Sequence, residues 1–148
     1  MGGDATFSRL EAKETPLYGA AKFLLCGFTE DGARRFHAAA AAAGLAQIPR
    51  VWVEAERAGE LVGALFALPD GTGAGRSSEL PCAVIVAGIP QAGLIRLMAL
   101  WRKGGGGEIL WAVLTPVSET WTLRRLLAEL ERERRALRSR RGSRRPPR

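Results

Sequence analysis

The chain has 148 residues but only one histidine, His37, and two cysteines, Cys26 and Cys82. That poverty narrows the chemistry at once. A zinc site needs several Cys or His ligands at close spacing; the two cysteines stand 56 residues apart with no second Cys or His near either. A Ser-His-Asp arrangement would rest on His37 alone. His37 falls in the middle of an expected helix beside Phe36, where a partly packed boundary position accounts for it. Each thiol adjoins an apolar run and reads as a small buried hydrophobe. No catalytic residue, metal ligand or cofactor is therefore expected, and the reading leans away from an enzyme. Long apolar runs are missing too. Leu61 to Leu68, with a glycine inside it, is among the longest and is far short of the roughly 18 residues that span a bilayer. With no basic-then-apolar leader at Met1, the expectation is a cytoplasmic chain without membrane insertion, in a reducing compartment that disfavours a disulfide.

What the chain does have is arginine, unevenly placed. The formal net charge is +7. Residues 132–148 hold nine of the 22 basic groups against one of the 15 acids, so the rest of the chain is close to neutral. Attraction for an anionic partner is a property of that tail. Arg134, Arg138, Arg141 and Arg145 recur at spacings of four and three, so a helix would align them toward phosphates. Gly142, Pro146 and Pro147 oppose helix, and no apolar residue follows Leu137. The segment 139–148 is accordingly expected to be a disordered Arg-rich tail, and residues 1–16, which show no period, a loosely ordered N-terminus.

Between them the sequence repeats. Setting Gly27 on Gly88 aligns Phe23-Leu24-Leu25-Cys26-Gly27-Phe28 with Val84-Ile85-Val86-Ala87-Gly88-Ile89, an offset of 61. Without a gap this also superposes Gly32 on Gly93, Arg35 on Arg96, Phe36 on Leu97, Gly44 on Gly105 and Val53 on Leu114. One inserted residue then carries Leu61, Ala64, Leu65 and Leu68 onto Leu123, Leu126, Leu127 and Leu130. Each half reads strand, helix, strand, helix. The runs 21–26 and 82–87 are apolar but for Lys22, as strands covered on both faces are, while 50–54 and 109–114 are shorter and more polar at their flanks. Helices are expected over 30–43, 58–68, 90–103 and 120–138, with Pro90 in a first turn. The fold class is α/β: a single domain over 17–138, with duplicated βαβα halves (20–68 and 81–131) joined by a linker, 69–80. The four-stranded sheet has order 2-1-3-4, and whether the halves meet parallel or antiparallel stays open.

Few segments look like sites. Gly71-Thr72-Gly73-Ala74-Gly75 has the glycines of a phosphate loop but follows a helix and precedes a strand, the reverse of the dinucleotide fingerprint; a flexible linker explains it. Glu30 and Asp31 complement a helix dipole. By fold analogy, ligands gather outside the carboxyl ends of strands, so loops 27–31, 54–58, 88–91 and 115–120 would ring any pocket. In the last of these, Pro116 stops a strand at Thr115, Ser118 or Thr120 can cap the next helix, and Trp121 seals the start of that helix against the sheet. Thr115, Pro116, Ser118 and Trp121 are the candidate ligand-binding residues.

From Ala112 to Leu127 the order is strand, Leu-Thr-Pro, a short polar turn, Trp-Thr and a Leu-rich amphipathic helix. In this it resembles a small bacterial family of unknown function, and the Gly88-Ile89 turn extends the likeness to residues 83–131. Ser118 stands where members of that family usually carry an Asn-like residue. The resemblance implies no activity, cofactor or catalytic residue. The expected function is a non-enzymatic α/β binding or interaction module for an unidentified protein or small molecule. The alternatives are a nucleic-acid-associated protein acting nonspecifically through Arg134, Arg138, Arg141 and Arg145, and a small-molecule enzyme with its site at the strand ends.

Overall fold

The computed structural model describes residues 15–143. Its elements run β1 (Lys22–Cys26), α1 (Glu30–Ala42), β2 (Arg50–Val53), a 3-10 turn (Ala55–Arg57), α2 (Val62–Phe66), β3 (Ala83–Ala87), α3 (Gln91–Lys103), β4 (Leu110–Val113), a second 3-10 turn (Ser118–Thr120) and α4 (Leu123–Ser143). The fold is mixed α/β with one four-stranded sheet in the order β2-β1-β3-β4 and four helices. The pairs β1/β2 and β3/β4 are parallel, as βαβ units require, and the two inner strands meet antiparallel, Leu24 opposite Ile85 at their centre. That junction answers the question the sequence leaves open.

Alternation along the strands builds a core on each face of the sheet. Phe23, Leu25, Trp52, Val84 and Val86 face α1 and α3, meeting Phe36, Leu97 and Trp101. Leu24, Cys26, Val51, Val53, Ile85 and Leu110 face α2 and α4, meeting Val62, Leu65, Leu123 and Leu127. On the first face Phe23, Phe28, Phe36 and Trp52 pack mostly edge to face, with centroids 5.2 to 6.4 Å apart.

The same element order occurs on both sides of the junction. Gly27 and Gly88 follow β1 and β3 with φ of 71° and 68°, and α1 and α3 each have 13 residues. Across the far face the Val62 amide donates to Trp121 O (2.9 Å) and the Leu123 amide to Glu60 O (3.0 Å). The isolated bridge there joins Leu61 to Thr122. These partners keep the 61-residue spacing, so the inserted residue in the sequence alignment has no counterpart in the pairing.

Several boundaries differ from the sequence expectation. The helix expected over 58–68 is split: a 3-10 turn takes its approach and α2 keeps only Val62–Phe66, because Gly59 stands in the turn between them and Leu61 is drawn into a bridge with Thr122. Pro90 sits at the N-cap, one position outside α3. The last helix starts at Leu123, and its cap is neither Ser118 nor Thr120 but Thr122, whose Oγ1 accepts from the Arg125 amide at 3.2 Å. Nor does it stop near Arg138. It continues to Ser143, with Glu129–Arg132 and Glu131–Arg135 pairs bracing its exposed side; the remainder of the expected tail, 144–148, lies outside the described residues. Of the expected loose N-terminus, residues 1–14 also lie outside, while Pro16 bridges Pro90 and the Leu17 amide donates to Ile89 O at 2.8 Å.

Candidate functional site

The antiparallel junction disperses the ring of loops expected at the strand ends. Cys26 at the end of β1 lies opposite Ala83 at the start of β3, and Ala87 opposite Lys22. Loops 27–31 and 54–58 therefore leave one end of the sheet, and 88–91 and 115–120 leave the other. They do not converge on one pocket.

The residues singled out at 115–121 are spent on local structure. Ser118 Oγ accepts from the Thr115 amide at 3.0 Å and lies 3.1 Å from Thr115 Oγ1, which in turn accepts from the Ser118 amide at 2.9 Å. This closed set explains why Ser118 is buried while Thr115 and Pro116 are exposed. Trp121 is only partly buried; the Arg125 guanidinium lies 4.0 Å from its ring centroid. The seal at the start of α4 is Leu123, with no exposed surface. Of the four tail arginines, Arg134 and Arg138 both pair with Glu108, at 2.8 and 2.6 Å, and hold its carboxyl below the usual range, the Arg138 hydrogen bond contributing most. Arg145 and the side chain of Arg141 lie outside the described residues.

The two edges of the sheet, which sequence patterning does not distinguish, are built differently. In a parallel pair, alternate residues of an edge strand point their N–H and C=O away from the neighbour. On β2 these are Arg50 and Trp52, and the linker meets them: Asp70 Oδ1 accepts from the Arg50 amide (2.9 Å), the Gly71 amide donates to Arg50 O (2.8 Å), and the Trp52 amide donates to Thr72 O (2.8 Å). The glycine-rich segment is thus an edge cover. Gly73 is required there, since at φ of 75° a Cβ would stand 2.0 Å from Trp52 O.

Under that cover Arg50 is 5% exposed. Its guanidinium donates to the carbonyls of Leu45, Ala46 and Ile48 and to His37 Nδ1 (3.0 Å), between the rings of Phe23 and Phe36, each 5.6 Å away. Because guanidinium only donates, His37 is neutral with its proton on Nε2. Burial of the ring's inner side, and then the Arg50 charge, push its pKa down. Sequence reasoning missed this network; an arginine opening an apolar strand, Arg50-Val51-Trp52-Val53, was its only trace.

On β4 the outward residues are Trp111 and Val113, since Leu110 and Leu114 donate to β3 carbonyls. Among the described residues nothing pairs with the outward main-chain groups of either. Beside this edge lies an open cleft of about 340 Å³, floored by Met98, Trp101, Ile109 and Trp111 and flanked by Arg102 and Arg134, with Glu108 at one end. Trp111, 61 residues after Arg50, occupies the corresponding place on its strand.

Nothing in the described part favours catalysis by the thiols. Burial pushes Cys26 far up; it also raises Cys82, against the pull of Arg134. Among the described residues no group of three or more His, Cys, Asp or Glu is disposed to hold a metal. No described helix is long and apolar enough to cross a membrane.

Residues 83–137 match a family described as "Domain of unknown function (DUF3783)". The match starts with β3 and ends within α4, covering the half that contains the open edge and the residues 83–131 of the sequence resemblance. No curated protein and no solved structure matches the chain.

Proposed function

We propose that this chain is a non-enzymatic interaction module that takes an extended segment of a partner protein along β4. One observation carries the reading: among the described residues nothing pairs with the outward main-chain groups of Trp111 and Val113 beside an apolar cleft, whereas the corresponding groups of β2 are satisfied by the linker. An uncovered edge is a template for strand addition, in which main-chain hydrogen bonds supply affinity and side-chain pockets supply selectivity. The same reading takes the halves as copies of one unit, supported by the paired bonds 61 residues apart, and differentiated by whether the edge is filled from within. The tail-mediated nucleic-acid reading has weaker support, because Arg134 and Arg138 already share Glu108. A selection of displayed random 12-residue peptides against the full chain tests the proposal. Recovered peptides are expected to lose binding to Val113→Pro, which removes one outward N–H and crowds the edge without touching the β3 ladder. Peptides indifferent to that substitution would refute edge binding.

A further inference from the structure

We infer that the segment received by β4 is acidic, with an Asp or Glu at its leading end placed over the start of the strand and the residues after it running parallel to β4. This rests on the edge-binding reading above and adds the partner's chemistry to it. Two independent features lead to it, one from charge and one from the covered edge.

The charge at the start of β4 is unbalanced. Arg102 and Arg134 flank the cleft and Arg138 lies next to Arg134 through their shared Glu108. Arg102, Arg134 and Glu108 thus line the cleft together, and the one carboxylate among them is already taken by Arg134 and Arg138. Among the described residues no acid pairs with Arg102. Arg134 retains 32% of its side-chain exposure, so it can accept a second carboxylate without leaving Glu108. An incoming Asp or Glu restores balance, while a basic segment meets like charges beside the apolar floor of the cleft.

The covered edge shows how such a segment sits. On β2 the first outward amide, that of Arg50, is taken by a carboxylate, Asp70 Oδ1. The next two contacts, from the Gly71 amide to Arg50 O and from the Trp52 amide to Thr72 O, advance along the linker in the same direction as β2. The linker is therefore a parallel, acid-led segment. The amide corresponding to that of Arg50 is that of Trp111, at the end of β4 where Arg102, Arg134 and Arg138 gather. An acid there receives the amide hydrogen bond and the guanidinium groups together, and the following residues reach the Val113 amide while apolar side chains enter the cleft over Met98 and Trp111.

The test uses the displayed 12-residue library against the full wild-type chain, against Arg102→Gln/Arg134→Gln and against Val113→Pro, with amide hydrogen exchange of Trp111 and Val113 read in the wild type with and without a recovered peptide. The inference expects recovered peptides to share an Asp or Glu near their N-terminus. They should bind the double variant about tenfold or more weakly, the scale of one charge-assisted hydrogen bond lost. They should also weaken with added salt, and slow exchange at both amides. Peptides without acidic preference that keep full affinity for the double variant, yet protect both amides and fail on Val113→Pro, overturn the inference while leaving edge binding intact. Peptides that leave both amides unprotected, or an empty selection, overturn both. So does protection of Trp111 and Val113 in the wild type before any peptide is added, whether a second copy of the chain or its own residues supply the cover; sedimentation distinguishes these. The exchange readout needs no substitution, so a misfolded Val113→Pro does not remove the test.

Discussion

The two edge strands are the same length, each is parallel to its inner neighbour, and each follows a 13-residue helix. Only one is finished. β2 is closed by a linker that supplies a carboxylate, an amide and a carbonyl in turn, and its outward arginine is buried against three carbonyls and an imidazole. β4 carries Trp111 at the corresponding place, half-buried beside an open cleft. The lesson is that an edge can be silenced by the chain's own connection, and that one not so covered in the same fold keeps its outward pairing groups available.

The sharpest way to break the comparison is to exchange the importance of its two outward residues. Arg50→Ala is expected to cost about 3 kcal/mol, because a buried guanidinium is lost from between Phe23 and Phe36 together with its bonds to three carbonyls and His37. Trp111→Ala is expected to cost less, about 2 kcal/mol, since its ring packs on the core but is only partly buried. Urea midpoints of the two variants measure the difference; equal losses would mean that β4 is as enclosed as β2.

Next in size is the linker's grip. Gly73→Ala puts a methyl group against Trp52 O at a positive φ, for an expected loss of about 2 to 3 kcal/mol. The loss should come with faster exchange of the Trp52 amide as the cover lifts. Unchanged stability and exchange would show that the linker does not hold the edge.

A smaller effect follows from His37. Its pKa is lowered in the fold, so on acidification the unfolded chain takes up the proton first. Stability is then fully present above the ordinary value of 6.5 and declines as pH falls below it. The urea midpoint should drop between pH 7.5 and 5.5, and His37→Gln should flatten that part of the profile. A wild-type midpoint that does not change across this window contradicts the Arg50 contact.

How much of this was legible in the sequence follows from which interactions are local. The apolar runs within 21–26 and 82–87 marked the buried central strands, and the stripe Leu123, Leu126, Leu127 and Leu130 marked a helix face, because burial acts on each residue in turn. The order 2-1-3-4 followed from pairing the two most apolar strands at the centre, with each shorter strand outside its own half. The direction of the central pair was not legible, since an apolar run is the same read either way, and with it went the expected ring of loops. The helix start at Thr122 was missed because Ser118 and Thr120 satisfy the same capping preference; the geometry of the preceding turn decides among them. The edge site was hidden for a further reason. Asp70 meets Arg50 across 20 residues, and nothing in Trp111-Ala112-Val113 announces that its own counterpart of Asp70 is missing.

The smallest expected effect is that of Val113→Pro on stability, about 1 kcal/mol, the cost of trimming a half-buried side chain on the core, because the lost amide makes no bond among the described residues. A large loss would place that amide in a contact.

The most direct test of the unequal edges is amide hydrogen exchange at four positions in the free, monomeric wild-type chain. The account predicts slow exchange at Arg50 and Trp52, whose amides are held by Asp70 and Thr72, and exchange at Trp111 and Val113 faster by orders of magnitude. Comparable protection at all four would contradict it.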